Sequence, residues 1–313
     1  MNDTAATALV LKGVIPPMVT PLAGRDQLDH DALERIIEHI LGGGVHGLFV
    51  LGSTGEAPSL SNRVKQEVVE RSVKQVDGRV PLLVGVTDTS FTGALELARF
   101  SADQGADAVV VAPPYYFPAH QDDLQRYFVE FAAESPLPVI LYNIPSHTKV
   151  DISLATAERL LDVPNIIAFK DSSGNMLYFN RLLELASRRP GFPVFMGPEE
   201  LLGESVLIGG SGGVCGGANL VPSLYVELYN AANSGELRLI HRLQQRLLRV
   251  SSRIYGVGDP PSGYLKGLKC AMSVIGLCSD RMAEPLYRLN DDKRSRIEQH
   301  LNELELALES TVR

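Results

Sequence analysis

"LLVGVTDTSFTGALELARFSADQGADAVVVA", residues 82–112, decides the fold. It opens on a short apolar run, Leu82–Val86, crosses a polar loop, and enters a stretch with helical spacing that stops at Gly105. A second apolar, β-rich run, Ala108–Ala112, follows at once. Two buried strands joined by one helix read as a parallel βαβ unit, because parallel neighbours need a crossover of about this length.

The same beat recurs on both sides. The runs Val14–Thr20, Gly47–Leu51, Val139–Tyr142, Ile166–Phe169, Val194–Met196 and Gly213–Cys215 bring the expected strands to eight. "DHDALERIIEHILGGG" has an acidic start, then Leu33, Ile36, Ile37 and Ile40 at helical spacing, then glycines that stop it. "SNRVKQEVVERSVKQVDG" opens on a Ser61 cap and stops at Gly78, and "DDLQRYFVEFAAESP" behaves likewise. Eight βα units in roughly 230 residues predict a (β/α)8 TIM barrel, a fold that usually takes about 250. The rival, an open doubly wound sheet, usually carries GxGxxG after its first strand, and "VIPPMVTPLAGRD" has none. After Pro222 the pattern turns purely helical. The expected organisation is a barrel over residues 1–233 and a C-terminal helical extension over 234–313, packed on the barrel and contributing to an oligomer interface.

Composition narrows the function classes. The 313 residues are 45% apolar and 21% charged, with a formal net charge of −8. That balance disfavours nucleic acid and anionic membrane surfaces, which both reward a basic face. No run of 18 apolar residues suggests a membrane span. "MNDTAATALVLKGVIPP" lacks a basic n-region and makes a poor signal peptide. Cys215, Cys270 and Cys278 are an odd count without a CxxC pair, so they read as small core residues of a cytoplasmic protein rather than as metal ligands. "GGSGGVCGG" lacks the GK[ST] ending of a phosphate-binding loop.

In a barrel the reacting groups sit where strands end and βα loops begin. The sixth run ends on a lysine: "NIIAFKDSSG" places Lys170 after Ile166–Phe169. Burying a lysine in an apolar mouth penalises its charged form, and a neutral amine attacks a ketone to form a Schiff base. The alternatives are a lysine that snorkels outward or pairs with Asp171. "GSTGE", Gly52 to Glu56, ends the second strand. Its two hydroxyls, Ser53 and Thr54, and its exposed amides suit a carboxylate, while Glu56 orients the loop. The other reading is a hydroxyl-rich turn with a helix cap. Tyr142 in "YNIPS" can relay a proton or be an aromatic rim residue. Tyr115 and Tyr116 in "PPYY" share that ambiguity.

"GSTGE", "PPYY", "YNIPS" and "FKDSSG" stand in the order and at the approximate spacing of one family. Over roughly Leu11 to Leu289 the chain resembles the dihydrodipicolinate synthase and N-acetylneuraminate lyase family, the Schiff-base aldolases of pyruvate type. The resemblance implies that Lys170 is the Schiff-base lysine and Tyr142 the tyrosine that moves protons beside the iminium. It implies that Ser53 and Thr54 grip the 2-oxo acid carboxylate, with Ser53 also in the proton relay. Tyr116 matches the tyrosine that reaches across a dimer interface in the synthases. Val214 matches the position whose backbone faces the keto acid, and Gly197 one that needs close backbone approach. No cofactor is implied beyond the covalent adduct on Lys170, and no metal. The implied assembly is a homotetramer of two tight dimers.

The departures bear on the substrate. Dihydrodipicolinate synthases read like Y-N-V-P-x-R, and the arginine holds the second substrate's carboxylate. Here His147 occupies that place in "YNIPSHTK", and an imidazole lacks the guanidinium's bidentate grip. In the neuraminate lyases an acidic pair binds glycerol-like hydroxyls; Glu199 and Glu200 of "GPEE" match it, but Gly216 replaces a serine. The first expectation is therefore a lyase that takes a 2-keto-3-deoxy sugar acid to pyruvate and an aldehyde. Lysine-pathway synthase, neuraminate lyase and 2-keto-3-deoxy acid dehydratase are the alternatives within this chemistry. A non-catalytic barrel that binds a keto acid is the alternative outside it.

Overall fold

The computed structural model describes residues 9–304. Residues 1–8, the first part of the stretch that makes a poor signal peptide, and 305–313, with the end of the last helical pattern, lie outside the described residues.

Eight short strands form one parallel sheet: β1 Gly13–Val14, β2 Leu48–Val50, β3 Leu82–Gly85, β4 Ala108–Val111, β5 Val139–Asn143, β6 Ile166–Asp171, β7 Val194–Met196 and β8 Gly212–Gly213. Each from β2 to β7 pairs with its successor, and β8 pairs with β1. The last seam, β1 to β2, closes through a single parallel bridge between Pro17 and Phe49. There Met18 N–H donates to Phe49 O at 2.8 Å and Phe49 N–H to Pro16 O at 3.0 Å. The first strand is thus shorter than the expected Val14–Thr20. Pro16 and Pro17 have no N–H to donate, so a regular ladder stops before them. The Asn219 side chain supplies the missing stitch: it donates to Pro17 O at 2.9 Å and accepts from Val19 N–H at 3.0 Å. The eighth strand also differs, as Gly212–Gly213 rather than Gly213–Cys215.

Strand alternation sorts two cores. Leu83, Val110, Ile140, Ala168 and Phe195 fill the barrel interior with Phe49 and Val214. Leu82, Val84, Val109, Leu141, Phe169 and Val194 face the surrounding helices. Those helices are α1 His30–Gly42, α2 Asn62–Val76, α3 Phe91–Gln104, α4 Gln121–Glu134, α5 Leu154–Leu160, α6 Met176–Ala186, α7 Leu202–Leu207 and α8 Pro222–Asn233. Their starts follow local chemistry. Asp29, Ser61 and Ser90 cap α1, α2 and α3 by accepting the N–H groups of Ala32, Val64 and Gly93.

Beyond α8 the chain is helical, as expected. Helix α9, Leu237–Val250, runs into one π-helical turn at Ser251–Tyr255, followed by α10, Gly263–Val274, and α11, Asp291–Glu303. The extension is anchored by a buried ion pair: Lys269 of α10 donates to Glu56 Oε1 at 2.6 Å, and Ala283 N–H donates to Glu56 Oε2 at 2.7 Å. No helix among the described residues is long and apolar enough to cross a membrane.

Candidate active site

Strand β6 runs through Lys170 to Asp171, two residues further than the sequence suggests. The extra length decides the lysine's role. Lys170 keeps step with Ala168, whose side chain lies in the barrel interior, while Asp171 falls on the opposite face. Asp171 is held there by Asn143 Nδ2 at 2.8 Å and Ser173 Oγ at 2.8 Å, so it is not the partner of Lys170. Burial holds the Asp171 carboxyl above the usual aspartate range.

Lys170 is only 5% exposed. The register of β5 and β6 pairs it with Tyr142. Its Nζ sits 3.7 Å from the centroid of the Tyr142 ring and 5.3 Å from that of Phe49. Aromatic faces attract a cation but offer it no proton acceptor of carboxylate strength, so the nitrogen stands beside a phenol without being locked in an ion pair.

Tyr142 also lines a cavity of about 400 Å³, together with Ser53, Glu56, Tyr115, His147 and Tyr264. The "GSTGE" loop closes on itself: the amides of Gly55 and Glu56 donate to Gly52 O and Ser53 O, and Ala57 N–H also reaches Gly52 O. The amides of Ser53 and Thr54 are not among those donors. Those two amides and the two hydroxyls are potential donors to an anion. Glu56, in the left-handed region at φ +56°, fixes the loop to α10 through Lys269. It orients the loop, as expected.

His147 stands at the exposed rim of the cavity, with its Nδ1 2.9 Å from Ser146 Oγ. Packing against protein, and then the cations Lys149 and Lys170, hold its pKa below the ordinary histidine value. Lys149 turns its Nζ to Ser146 O at 2.8 Å. Val214 is buried in the interior cluster with Tyr142 and Ala168. A Cβ on Gly216 would make only ordinary contacts, 3.6 Å from Glu199 Oε2 and 3.8 Å from Thr54 Oγ1.

Tyr116, expected to serve a neighbouring subunit's site, is 82% exposed in its own chain, at φ +88°, and packs edge-on against Phe117. Glu199 is buried and engaged, with Tyr225 Oη and Tyr255 Oη each donating to Oε1 at 2.6 Å and Gly217 N–H to Oε2 at 2.7 Å. Burial, and then Glu200, hold its carboxyl above the usual glutamate range. A carboxyl so occupied is a hub for its own neighbours rather than a free acceptor of sugar hydroxyls. Gly197 does meet close backbone approach, but from its neighbouring strand end: a Cβ there would lie 1.9 Å from Ser172 Oγ and 2.9 Å from Asp171 O.

Tyr264 and Lys269 were missed. Both belong to α10, far from the strand ends in sequence. A signal existed for Lys269, which lies four residues after Leu265 and three before Met272, in step with an apolar face. Among the described residues no three His, Cys, Asp or Glu side chains converge on one point. The three cysteines are free and buried.

Fold and site together define a parallel-barrel enzyme centred on a buried lysine. The chain belongs to the dihydrodipicolinate synthetase family, which is matched over residues 10–304. It is similar to the solved dihydrodipicolinate synthase of Bacteroides thetaiotaomicron, with 46% identity, a TM-score of 0.91, and coverage of 94% of this chain and 99% of that one. It is also similar to YagE of Escherichia coli K12, solved in complex with pyruvate, at 29% identity and a TM-score of 0.88 over 95% of this chain and 99% of that one. A curated relative, the probable 2-dehydro-3-deoxy-D-pentonate aldolase YjhH of Escherichia coli, is 34% identical over 85% of this chain and 87% of its own length. The protein is thus a carbon–carbon lyase of this family, whose chemistry is that of class I, pyruvate-dependent aldolases and lyases.

Proposed function

We propose that the protein cleaves or condenses a 2-oxo acid through a Schiff base on Lys170, with pyruvate as one partner, and that the full substrate is a 2-keto-3-deoxy sugar acid. The observation that carries this reading is the buried Lys170 Nζ, 3.7 Å from the Tyr142 ring centroid on the inner face of adjoining strands.

In the cleavage direction the Lys170 amine adds to the C2 carbonyl, and loss of water leaves an iminium. Ser53, Thr54 and their loop amides hold the adjoining carboxylate. Tyr142, as the base, takes the proton of the C4 hydroxyl while the C3–C4 bond breaks. The electron pair of that bond moves to the iminium nitrogen, giving an enamine, and the aldehyde leaves. Protonation at C3 and hydrolysis of the imine then release pyruvate and return the water lost earlier. The iminium is itself the electron sink, so the sequence of steps calls on no cofactor.

The aldehyde end would sit toward His147 and Lys149. Neither reproduces a guanidinium fork: His147 offers one imidazole and Lys149 already donates to Ser146 O. This weighs against an aldehyde bearing a carboxylate and for one bearing hydroxyls. Support for the sugar-acid reading comes from the name of the 34% identical relative. The synthase reading is the second, favoured by the name of the 46% identical structure. A cytoplasmic homotetramer accords with either, with the exposed Tyr116 and Phe117 as part of the covered surface.

Borohydride trapping with pyruvate tests the chemistry. The expected result is a reduced pyruvyl adduct on Lys170 by peptide mass spectrometry, abolished in Lys170→Met; no adduct with any 2-oxo acid sinks the lyase reading. Pyruvate release from 2-keto-3-deoxy sugar acids, set against condensation with the synthase's aldehyde, then separates the two substrates.

A further inference from the structure

We propose that Glu199 is a positioning residue for the substrate's carboxylate, holding the turn after β8 against Thr54 of the carboxylate grip. The role rests on the lyase reading above and deepens it. By its place in "GPEE" the residue matches a ligand of substrate hydroxyls, yet its bonds go to its own chain.

Glu199 opens the 3-10 turn Glu199–Leu201 that follows β7, and is 5% exposed. Tyr225 of α8 and Tyr255 of the π-helical turn both donate to Oε1, at 2.6 Å each. That leaves Oε2 for the N–H of Gly217, at 2.7 Å. Gly217 belongs to the 3-10 turn Gly216–Asn219, just beyond β8. Its backbone lies directly on the carboxyl cluster: a Cβ there would lie 1.9 Å from Tyr225 Oη and 2.7 Å from Glu199 Oε1. Gly216 comes next to the site. A Cβ on it would touch Glu199 Oε2 on one side and Thr54 Oγ1 on the other, at 3.6 and 3.8 Å. A single backbone segment therefore separates the Glu199 carboxyl from the hydroxyl of the grip.

The same turn is bonded onward. Asn219 Nδ2 donates to Gly216 O at 2.8 Å and to Pro17 O at 2.9 Å, and Asn219 Oδ1 accepts from Val19 N–H at 3.0 Å. The next residue, Thr20, donates its hydroxyl to Gly55 O of the "GSTGE" loop at 2.7 Å. The turn after β8, the end of β1 and the grip loop thus form one bonded unit, and Glu199 is its fixed end. All three donors to the carboxyl are neutral, and a buried acceptor tolerates no lost partner. Any drift of Gly216 away from Thr54 would leave Oε2 without its donor, so the buried carboxyl resists that drift.

The test reads the pyruvate concentration that half-saturates borohydride trapping on Lys170. The wild type must trap pyruvate; if it does not, the lyase reading fails and the role of Glu199 falls with it. Glu199→Leu removes every acceptor at similar size. It is expected to raise the half-saturating concentration about 10-fold, the scale of one lost hydrogen bond, while the rate at saturating pyruvate stays near wild type. Glu199→Gln can still offer a carbonyl to Gly217 N–H and an amide to the phenol oxygens, and is expected to restore most of the affinity. A merely structural role would lower Tm and the amount of adduct without moving the half-saturation, and that result overturns the proposal. A second measurement is a double-mutant cycle with Thr54→Val. The combined effect is expected to fall well short of the product of the single effects, whereas the full product overturns the proposal. If Glu199→Leu does not fold, Tyr255→Phe takes its place, with a rise in half-saturation expected and an unchanged value overturning the role.

Discussion

At the scale of the residue, parity within a strand governs the site. Lys170 and Asp171 are chain neighbours, yet one faces the barrel interior and the other the helices, because successive strand residues alternate. The lysine is thereby kept from the carboxylate that would hold it as a salt bridge. His147 is the residue whose charge state bears most on the rim. Its pKa is held below the ordinary value of 6.5 by burial and by the cations Lys149 and Lys170. As pH falls, the unfolded chain therefore takes up this proton before the folded chain does. His147 withdraws stability from about pH 6.5 downward until its own folded pKa is passed. Two outcomes are expected. His147→Gln flattens the fall of Tm with pH below 6.5, and Lys149→Ala raises the His147 pKa, as read from its imidazole resonances by NMR. An unchanged pKa in Lys149→Ala would show that Lys149 plays no part in setting it.

At the scale of the element, α10 both braces the "GSTGE" loop and lines the cavity. Its Lys269 and the Glu56 of the "GSTGE" loop form an ion pair with both side chains almost wholly buried. Removing one partner of such a pair leaves an uncompensated charge, at a cost of about 3–5 kcal/mol. Lys269→Met is expected to lose that much in a denaturant titration and to weaken pyruvate capture, because Ser53 and Thr54 ride on the loop that Glu56 anchors. Glu56→Gln in the same chain should restore much of the stability, since an amide pairs with Ala283 N–H without a buried charge. If the single variant keeps wild-type stability, the pair is incidental. The strands themselves were legible from their apolar runs, but their limits were not. Pro16 and Pro17 cut the first strand short, and the hydrogen bond of Asn219 to Pro17 does work that a longer β1 would have done.

At the scale of the whole molecule, the barrel and the helical extension share one cavity. Pro261, Ser262, Tyr264, Leu265 and Leu286 line it opposite the strand ends. A chain ending at residue 233, where the periodicity suggests the barrel is complete, would lose that wall and strip Glu56 of Lys269. Such a truncation is expected to be insoluble or to unfold far below the full chain, with no pyruvate adduct. A folded truncation that traps pyruvate would show that the extension is only an ornament of the barrel.

Repeated and local patterns are legible in the amino-acid sequence. Eight apolar runs alternating with capped helices specify a barrel, because each βα unit buries one face by the same rule. "GSTGE", "YNIPS" and "FKDSSG" mark the mouth, because a barrel presents its strand ends together. The tertiary structure alone decided which side chains meet. Glu199, matched by its place in the loop to a substrate ligand, is surrounded by Tyr225, Tyr255 and Gly217. Tyr264, 211 residues from Ser53 by their numbers, lines the same cavity. Contacts of that range depend on how helices seat against the sheet, and the seating is set by packing at Gly258, Gly263 and Gly267 rather than by any local pattern.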